Sequence, residues 1–239
     1  MITQIYSLQY PDEATDCVAA GVDHIGLLTG DDSCPAAITL EQAKLVFNVV
    51  GKSAVKSAIL MYDDEETILS AARYLQPDII HLCGTVVFAT PEFCARARAA
   101  VPDVRIMQAI AVGGPETMDA ALAQAKRYDG VADILLLDSV MSGSATAVGS
   151  TPNGVGAAGV THDWNISARI VRETRTPVIL AGGLSADNVA AAIQFVRPWG
   201  VDSLTKTSVF EEGKCIRKDT EKVRAFVQNA KSAAAALGL

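Results

Sequence analysis

The sequence predicts a (β/α)8 TIM barrel folded as a single domain over residues 1–239. Three observations point there. Short apolar runs alternate eight times with helix-patterned stretches, at the spacing of βαβ units. The runs are rich in Val, Ile and Leu, as strands covered on both faces are. Half the residues are hydrophobic, yet only 5% are aromatic, which suits parallel strands packed against Ala-rich helices. A doubly wound open sheet is the competing architecture. It more often carries a glycine motif after its first strand, and "IYSLQYPDE" has none.

The units follow in order. "ITQIYSL" (2–8) precedes the helical "DEATDCVAAG". "VDHIGLLT" (22–29) precedes "TLEQAKLVFNVVG", and "AVKSAILMY" (54–62) precedes "DDEETILSAARYL". "DIIHLCG" (78–84) leads to "TPEFCARARAAV", and "VRIMQAIAV" (104–112) to "GPETMDAALAQAKRY". "ADILLLDSV" (132–140) is followed by a long Gly/Ser/Ala loop and "THDWNISARIVRET". "PVILAGG" (177–183) leads to "LSADNVAAAIQFV", and "VDSLTKTS" (201–208) to the terminal "KDTEKVRAFVQNAKSAAAALG". Thr39 with Gln42, and Ser185 before Asp187 and Asn188, read as helix caps. Gly21, Gly51 and Gly130 read as helix stops.

The net charge of -7 argues against a nucleic-acid surface. An anionic ligand then needs local donors to hold it. Five scattered cysteines without a C-x-x-C pair read as reduced thiols. The first residues lack a basic segment followed by an apolar run, and no apolar stretch is long enough to span a bilayer. The expected location is the cytoplasm.

"NGVGAAGVTHDW" (153–164) has the spacing G-x-G-x-x-G, but a dinucleotide motif needs a strand directly before it and an acid about 20 residues on. "ILLLD" ends well before Gly154, and Glu173 lies within the next helix. The glycines are read as a flexible lid or as a phosphate-contacting loop. "PVILAGGLSADNV" (177–189) is more specific, since a buried strand runs into Gly182-Gly183 and a helix opens just beyond. Barrels hold phosphate on such backbone after strands seven and eight. Thr205, Lys206 and Thr207 in the neighbouring turn add donors. Asp138 ends "ILLLD" at the C-terminal tip of a strand, where barrel catalytic groups lie. Partial burial there raises a carboxyl pKa and fits it for general-acid work. His24, His81 and His162 lack metal-ligand spacing. His81 reads as a core residue, and His162 as a neighbour of the ligand loop.

Together "ILLLD", "GAAGVTHDW", "PVILAGGLSADNVAAAI", "PWGVDS" and K-D-x-x-K-x-x-x-F (218–226) resemble the phosphoribosylanthranilate isomerase family. The resemblance covers most of the chain and is strongest over 132–227. It implies an Amadori rearrangement of a phosphorylated sugar amine, in tryptophan biosynthesis, with no cofactor and no metal. A general acid opens the ribose ring and a base removes the C2 proton. The family's acid maps onto Asp138. Its base is the cysteine of K-I-C-G on strand one, where this chain reads "QIYS" and places Tyr6. Its S-P-R arginine falls in "TGDDSCPAAIT", which offers Ser33 and Cys34 but no arginine. Its S-S-G-V-E motif is altered here to "LTKTSVF". Gly156 and Gly159 match family glycines.

The expected site is therefore Asp138 and Tyr6 for catalysis, with Gly156, Gly159, Gly182, Gly183, Thr205 and Lys206 binding substrate or its phosphate. The expected partner is a small phosphorylated substrate, without nucleic acid or membrane, and the chain is expected as a monomer or homodimer. Two other readings stay open. One is a divergent isomerase or aldolase acting on another sugar phosphate, with Lys206 or Tyr6 in the chemistry. The other is a non-catalytic barrel that binds a ligand or partner.

Overall fold

The computed structural model describes residues 1–30, 36–83, 87–139, 161–212 and 214–239. Its barrel strands are β1 (Ile2–Ile5), β2 (His24–Gly30), β3 (Val55–Met61), β4 (Ile79–Leu82), β5 (Arg105–Val112), β6 (Ile134–Ser139), β7 (Val178–Leu180) and β8 (Gly200–Ser203). The helices are α1 (Pro11–Ala19), α2 (Leu40–Val50), α3 (Glu65–Leu75), α4 (Pro91–Ala100), α5 (Met118–Tyr128), α6 (Trp164–Glu173), α7 (Val189–Val196) and α8 (Thr220–Leu237). Every barrel pairing is parallel, and β1 pairs with both β8 and β2, so the sheet closes. This is the predicted (β/α)8 barrel.

Period-2 alternation divides the buried side chains into two cores. Ile5, Ile25, Leu27 and Leu135 face the helices and pack with Phe93 and Phe226. Tyr6, Leu28, Ile59, Ile79, Met107, Leu136 and Ile179 fill the barrel interior. Each such side chain, fully buried, contributes roughly 1.5–3 kcal/mol.

The expected boundaries hold at the helix ends. Thr39 accepts from the Gln42 N–H at 3.2 Å and caps α2. Gly21, Gly51 and Gly130 adopt positive φ of 83°, 55° and 76°, a conformation that glycine reaches without steric cost. Ser185 differs from expectation. Its hydroxyl accepts from Asp187 N–H in a turn, and α7 opens only at Val189.

Strand one ends at Ile5 rather than at residue 8, because Ser7 takes φ 68°. The eighth strand ends at Ser203, and a 3-10 turn covers Thr205–Thr207. An antiparallel hairpin then follows, Ser208–Glu211 with Lys214–Lys218. Ala37–Ile38 also pairs with β2, at Leu28 and Thr29, beyond the point where β1 has ended.

Candidate active site

The C-terminal ends of β6, β7 and β8 meet in one cleft. It is lined by Asp138, Gly182, Gly183, Leu184, Asp202, Ser203, Leu204, Thr205 and Lys206. Five of the eight predicted site residues thus come together. Gly156 and Gly159 lie outside the described residues, as do Ser33 and Cys34.

Asp138 reaches the cleft by register. Ile134 and Leu136 face the barrel interior, so the residue two positions on faces the same way. The Ser139 N–H donates to its carboxylate at 2.7 Å, yet burial dominates and pushes Asp138 up to about 6. A carboxyl tuned to that range can give a proton near neutral pH. Asp202, on β8, accepts from Gln4 Nε2 at 3.1 Å. Burial, then the Asp138 charge, push Asp202 up to about 8. The Gln4 carbonyl meets His24 Nδ1 at 3.1 Å, so one side chain ties β1 to both neighbours. Asp202 was absent from the expected site. Its signal was a lone charge inside the apolar run "VDSL".

The turn after β7 is held open by glycine. Gly182 and Gly183 have φ of 83° and 61°. A Cβ on Gly182 would strike Ser139 Oγ and lie 2.8 Å from His162 Nδ1. His162 is itself fixed, with Nε2 2.6 Å from Ser167 Oγ and Nδ1 3.3 Å from Ser139 Oγ. Burial lowers it to about 4, so the ring is neutral. Asn188 closes the turn by donating to Gly183 O and accepting from Ser185 N–H. Ser203 Oγ donates to Leu184 O at 2.8 Å and joins this turn to β8. Lys206 is exposed at the cleft rim.

Tyr6 is held inside the barrel, with its hydroxyl engaged. Its ring crosses the barrel interior over Gly26, where a Cβ would strike the ring carbons. The hydroxyl is 2.6 Å from Ser57 Oγ and 2.8 Å from His81 Nδ1. Burial pushes the phenol well above 10, far from the range where it could take a proton at neutral pH. Among the described residues the buried His81 Nε2 meets no partner, so the core reading of His81 is satisfied there at one of its nitrogens. Tyr6→Phe leaves Ser57 and His81 short of a partner, so a stability loss of about 1–3 kcal/mol is expected in urea melts. Turnover should stay within about tenfold of wild type, because a base supplies on the order of 10²–10⁴ in rate and burial keeps the Tyr6 phenol protonated at neutral pH.

The hairpin after β8 falls in a stretch unassigned from sequence, between residue 208 and the terminal helix, and it brings further residues. Cys215 is 3% exposed and packs with the barrel-interior side chains. Lys218 is buried, and its ammonium donates to Leu204 O at 3.1 Å and Ser208 Oγ at 2.6 Å. The readable signal was the strand-like "SVFEEGKCIRK", with a turn-forming Glu-Gly at its centre.

The model of the N-(5'phosphoribosyl)anthranilate (PRA) isomerase family matches residues 4–229. The N-(5'-phosphoribosyl)anthranilate isomerase of Methanocella arvoryzae is 35% identical over 219 residues, 91% of this chain and 92% of that one. The protein of the same name from Haloferax volcanii is 33% identical over 221 residues, covering 92% and 88%. Among solved structures, dimeric phosphoribosylanthranilate isomerase from Thermotoga maritima, in a form of mutually generated monomers, superposes with a TM-score of 0.74. It is 23% identical, with 97% of this chain and 100% of that one covered. A phosphoribosyl anthranilate isomerase in complex with reduced 1-(o-carboxyphenylamino)-1-deoxyribulose 5-phosphate gives 0.72, with 22% identity and the same coverage. The structural likenesses speak to the fold, and the family model and curated relatives to descent: this chain belongs to the N-(5'-phosphoribosyl)anthranilate isomerase family.

Proposed function

We propose that this chain isomerises phosphoribosylanthranilate, an Amadori rearrangement of an aldose-amine to a ketose-amine in tryptophan biosynthesis. The observation that carries the reading is Asp138, a carboxyl with a pKa raised to about 6, in one cleft with the glycine turn after β7. Asp138 gives its proton to the ribose ring oxygen. The C1–O bond breaks, and the amine lone pair forms the C1=N iminium.

The phosphate rests against Gly182 and Gly183, with Thr205 and Lys206 from the next turn. Positive φ and the crowding at Gly182 keep side chains out, so backbone N–H groups can approach an anion closely. Gly182→Ala is therefore expected to raise KM for a phosphorylated substrate at least about tenfold, and to destabilise by roughly 1–3 kcal/mol through overpacking. Steady-state kinetics and a thermal melt check both. An unchanged KM moves the phosphate away from this turn.

An aldolase reading through a Lys206 Schiff base is less well supported. Such a lysine needs desolvation or a cationic neighbour to become nucleophilic, and Lys206 is exposed. The chain acts as a monomer or homodimer in the cytoplasm. Among the described residues no helix is long and apolar enough to cross a membrane. The direct test is turnover of phosphoribosylanthranilate by the purified chain, followed by NMR. A chain that binds the substrate without converting it is a binding protein instead.

A further inference from the structure

Lys218 opens the K-D-x-x-K-x-x-x-F stretch and is 3% exposed. Its backbone is fixed, because Glu13 accepts from Lys218 N–H at 2.5 Å as well as from Gln9 and Tyr10 N–H at 2.7 and 3.0 Å. The side chain reaches back under the turn after β8. There its ammonium donates to Leu204 O at 3.1 Å and to Ser208 Oγ at 2.6 Å. Both partners are neutral, so neither cancels the charge. Taking a cation out of water without a paired anion is costly. An apolar side chain of similar length would pack there without that cost, so the charge itself calls for a use.

The two partners bracket the 3-10 turn Thr205–Thr207. Leu204 O also accepts from Ser208 Oγ at 2.7 Å, from Thr207 Oγ1 at 3.1 Å and from Thr207 N–H at 3.3 Å. Four donors thus converge on one carbonyl, and one of them is charged. They draw the negative end of the Leu204–Thr205 peptide toward the buried ammonium, while Leu204, Thr205 and Lys206 line the cleft. A trans peptide sets its C=O and N–H on opposite edges, so the positive edge of that peptide is turned the other way. The charge of Lys218 is also felt inside the cleft. Burial and then the Asp138 charge push Asp202 up to about 8, and the Gln4 hydrogen bond and the Lys218 ammonium oppose them.

We propose that Lys218 is a positioning residue for the substrate's phosphate: from behind the cleft wall it holds the turn after β8 with a carbonyl drawn inward, and its charge acts on the anion through that turn. The proposal rests on the phosphate placement of the proposed isomerase and deepens it. Lys218 itself makes no contact with substrate. In a chain of net charge -7 it is a cation held in place by the fold and little screened by salt, whereas Lys206 at the rim is exposed and screened.

The test is calorimetry with a reduced, non-isomerisable anilino-ribitol 5-phosphate and its dephosphorylated counterpart. Wild type should prefer the phosphorylated form. In Lys218→Gln and Lys218→Met that form should bind about tenfold or more weakly, as for a lost charge-assisted hydrogen bond. The dephosphorylated form should stay within about twofold, whereas a packing defect weakens both alike. In turnover KM should rise and kcat stay within about threefold, since uniform binding is lost and no proton-transfer group is touched. Lys126→Gln makes the same change of net charge at an exposed ion pair on α5 and should leave both affinities within about twofold. If neither Lys218 variant folds, Ser208→Ala decides. It removes one of the ammonium's two partners and should weaken the phosphorylated form alone, by about threefold. Equal weakening of both forms, an unchanged phosphorylated affinity in the deciding variant, or the same loss in Lys126→Gln would overturn the proposal and leave the isomerase reading intact. A wild type that binds both forms equally removes the phosphate from this turn and the proposal with it. A wild type that keeps the preference but turns over no phosphoribosylanthranilate sinks the isomerase reading alone.

Discussion

Asp138→Asn is expected to lower kcat for phosphoribosylanthranilate by roughly 10²–10⁴, the span that a positioned general acid supplies. KM should change little, because the amide keeps the shape and can still accept from the Ser139 N–H that now meets the carboxylate at 2.7 Å. What it lacks is a proton to give to the ring oxygen. The pH dependence separates this from a packing defect. An acid lifted to about 6 by burial makes activity fall as pH rises through that value, because the competent form is the protonated one. With Asn in place, that limb is gone and the residual rate rises monotonically with pH, following the base alone. Steady-state rates from pH 5 to 9 and a thermal melt of each variant check the prediction. Full turnover in a folded Asp138→Asn would remove Asp138 from the chemistry.

The parts of this site that were legible in the sequence are those set by local pattern. Asp138 ends an apolar run, so its strand, its end of the barrel and its inward face follow from period-2 alternation and one loop boundary. Gly182-Gly183 is likewise local, a strand tip running into a turn where a Cβ at Gly182 has no room. Position 6 was not legible in this way. Whether a tyrosine there meets substrate or fills the barrel depends on Gly26, Ser57 and His81, each on a different strand. Gly26 makes space for the ring, and the other two satisfy its hydroxyl. Such cooperation is set by closure of the sheet and leaves no periodic trace. Lys218 is a stronger case. It lies 205 positions from Glu13 in sequence, and only a hairpin pinned at Gln9, Asp12 and Glu13 sets it under the turn after β8. The hairpin itself could have been read from its alternation, but not what it would cover.

Asp202→Asn is expected to flatten the pH dependence of stability, and the sign follows from the direction of the shift. An unfolded aspartate titrates near 3.9, whereas burial and the charge of Asp138 hold folded Asp202 up to about 8. Between those values the folded chain binds a proton that the unfolded chain has lost. Its contribution is therefore full below about pH 4 and lost as pH rises through about 8, on the order of a few kcal/mol in all. Asn is neutral throughout and can still accept from Gln4 Nε2, so the variant should gain on wild type as pH increases. Urea midpoints at pH 5, 6, 7 and 8 measure the difference. Parallel curves would mean that Asp202 is charged in the folded state at neutral pH. The shift also bears on binding. A chain of net charge -7 that takes an anion must limit negative charge around it. Below about pH 8 the buried Asp202 carboxyl is neutral, so this cleft meets a phosphate with at most the Asp138 charge against Lys206 and the glycine turn. Raising the pH past 8 should then weaken phosphate-ester binding in wild type but not in Asp202→Asn. Isothermal titration with a non-isomerisable sugar phosphate reads this directly, and equal weakening in both chains would assign the effect to some other group.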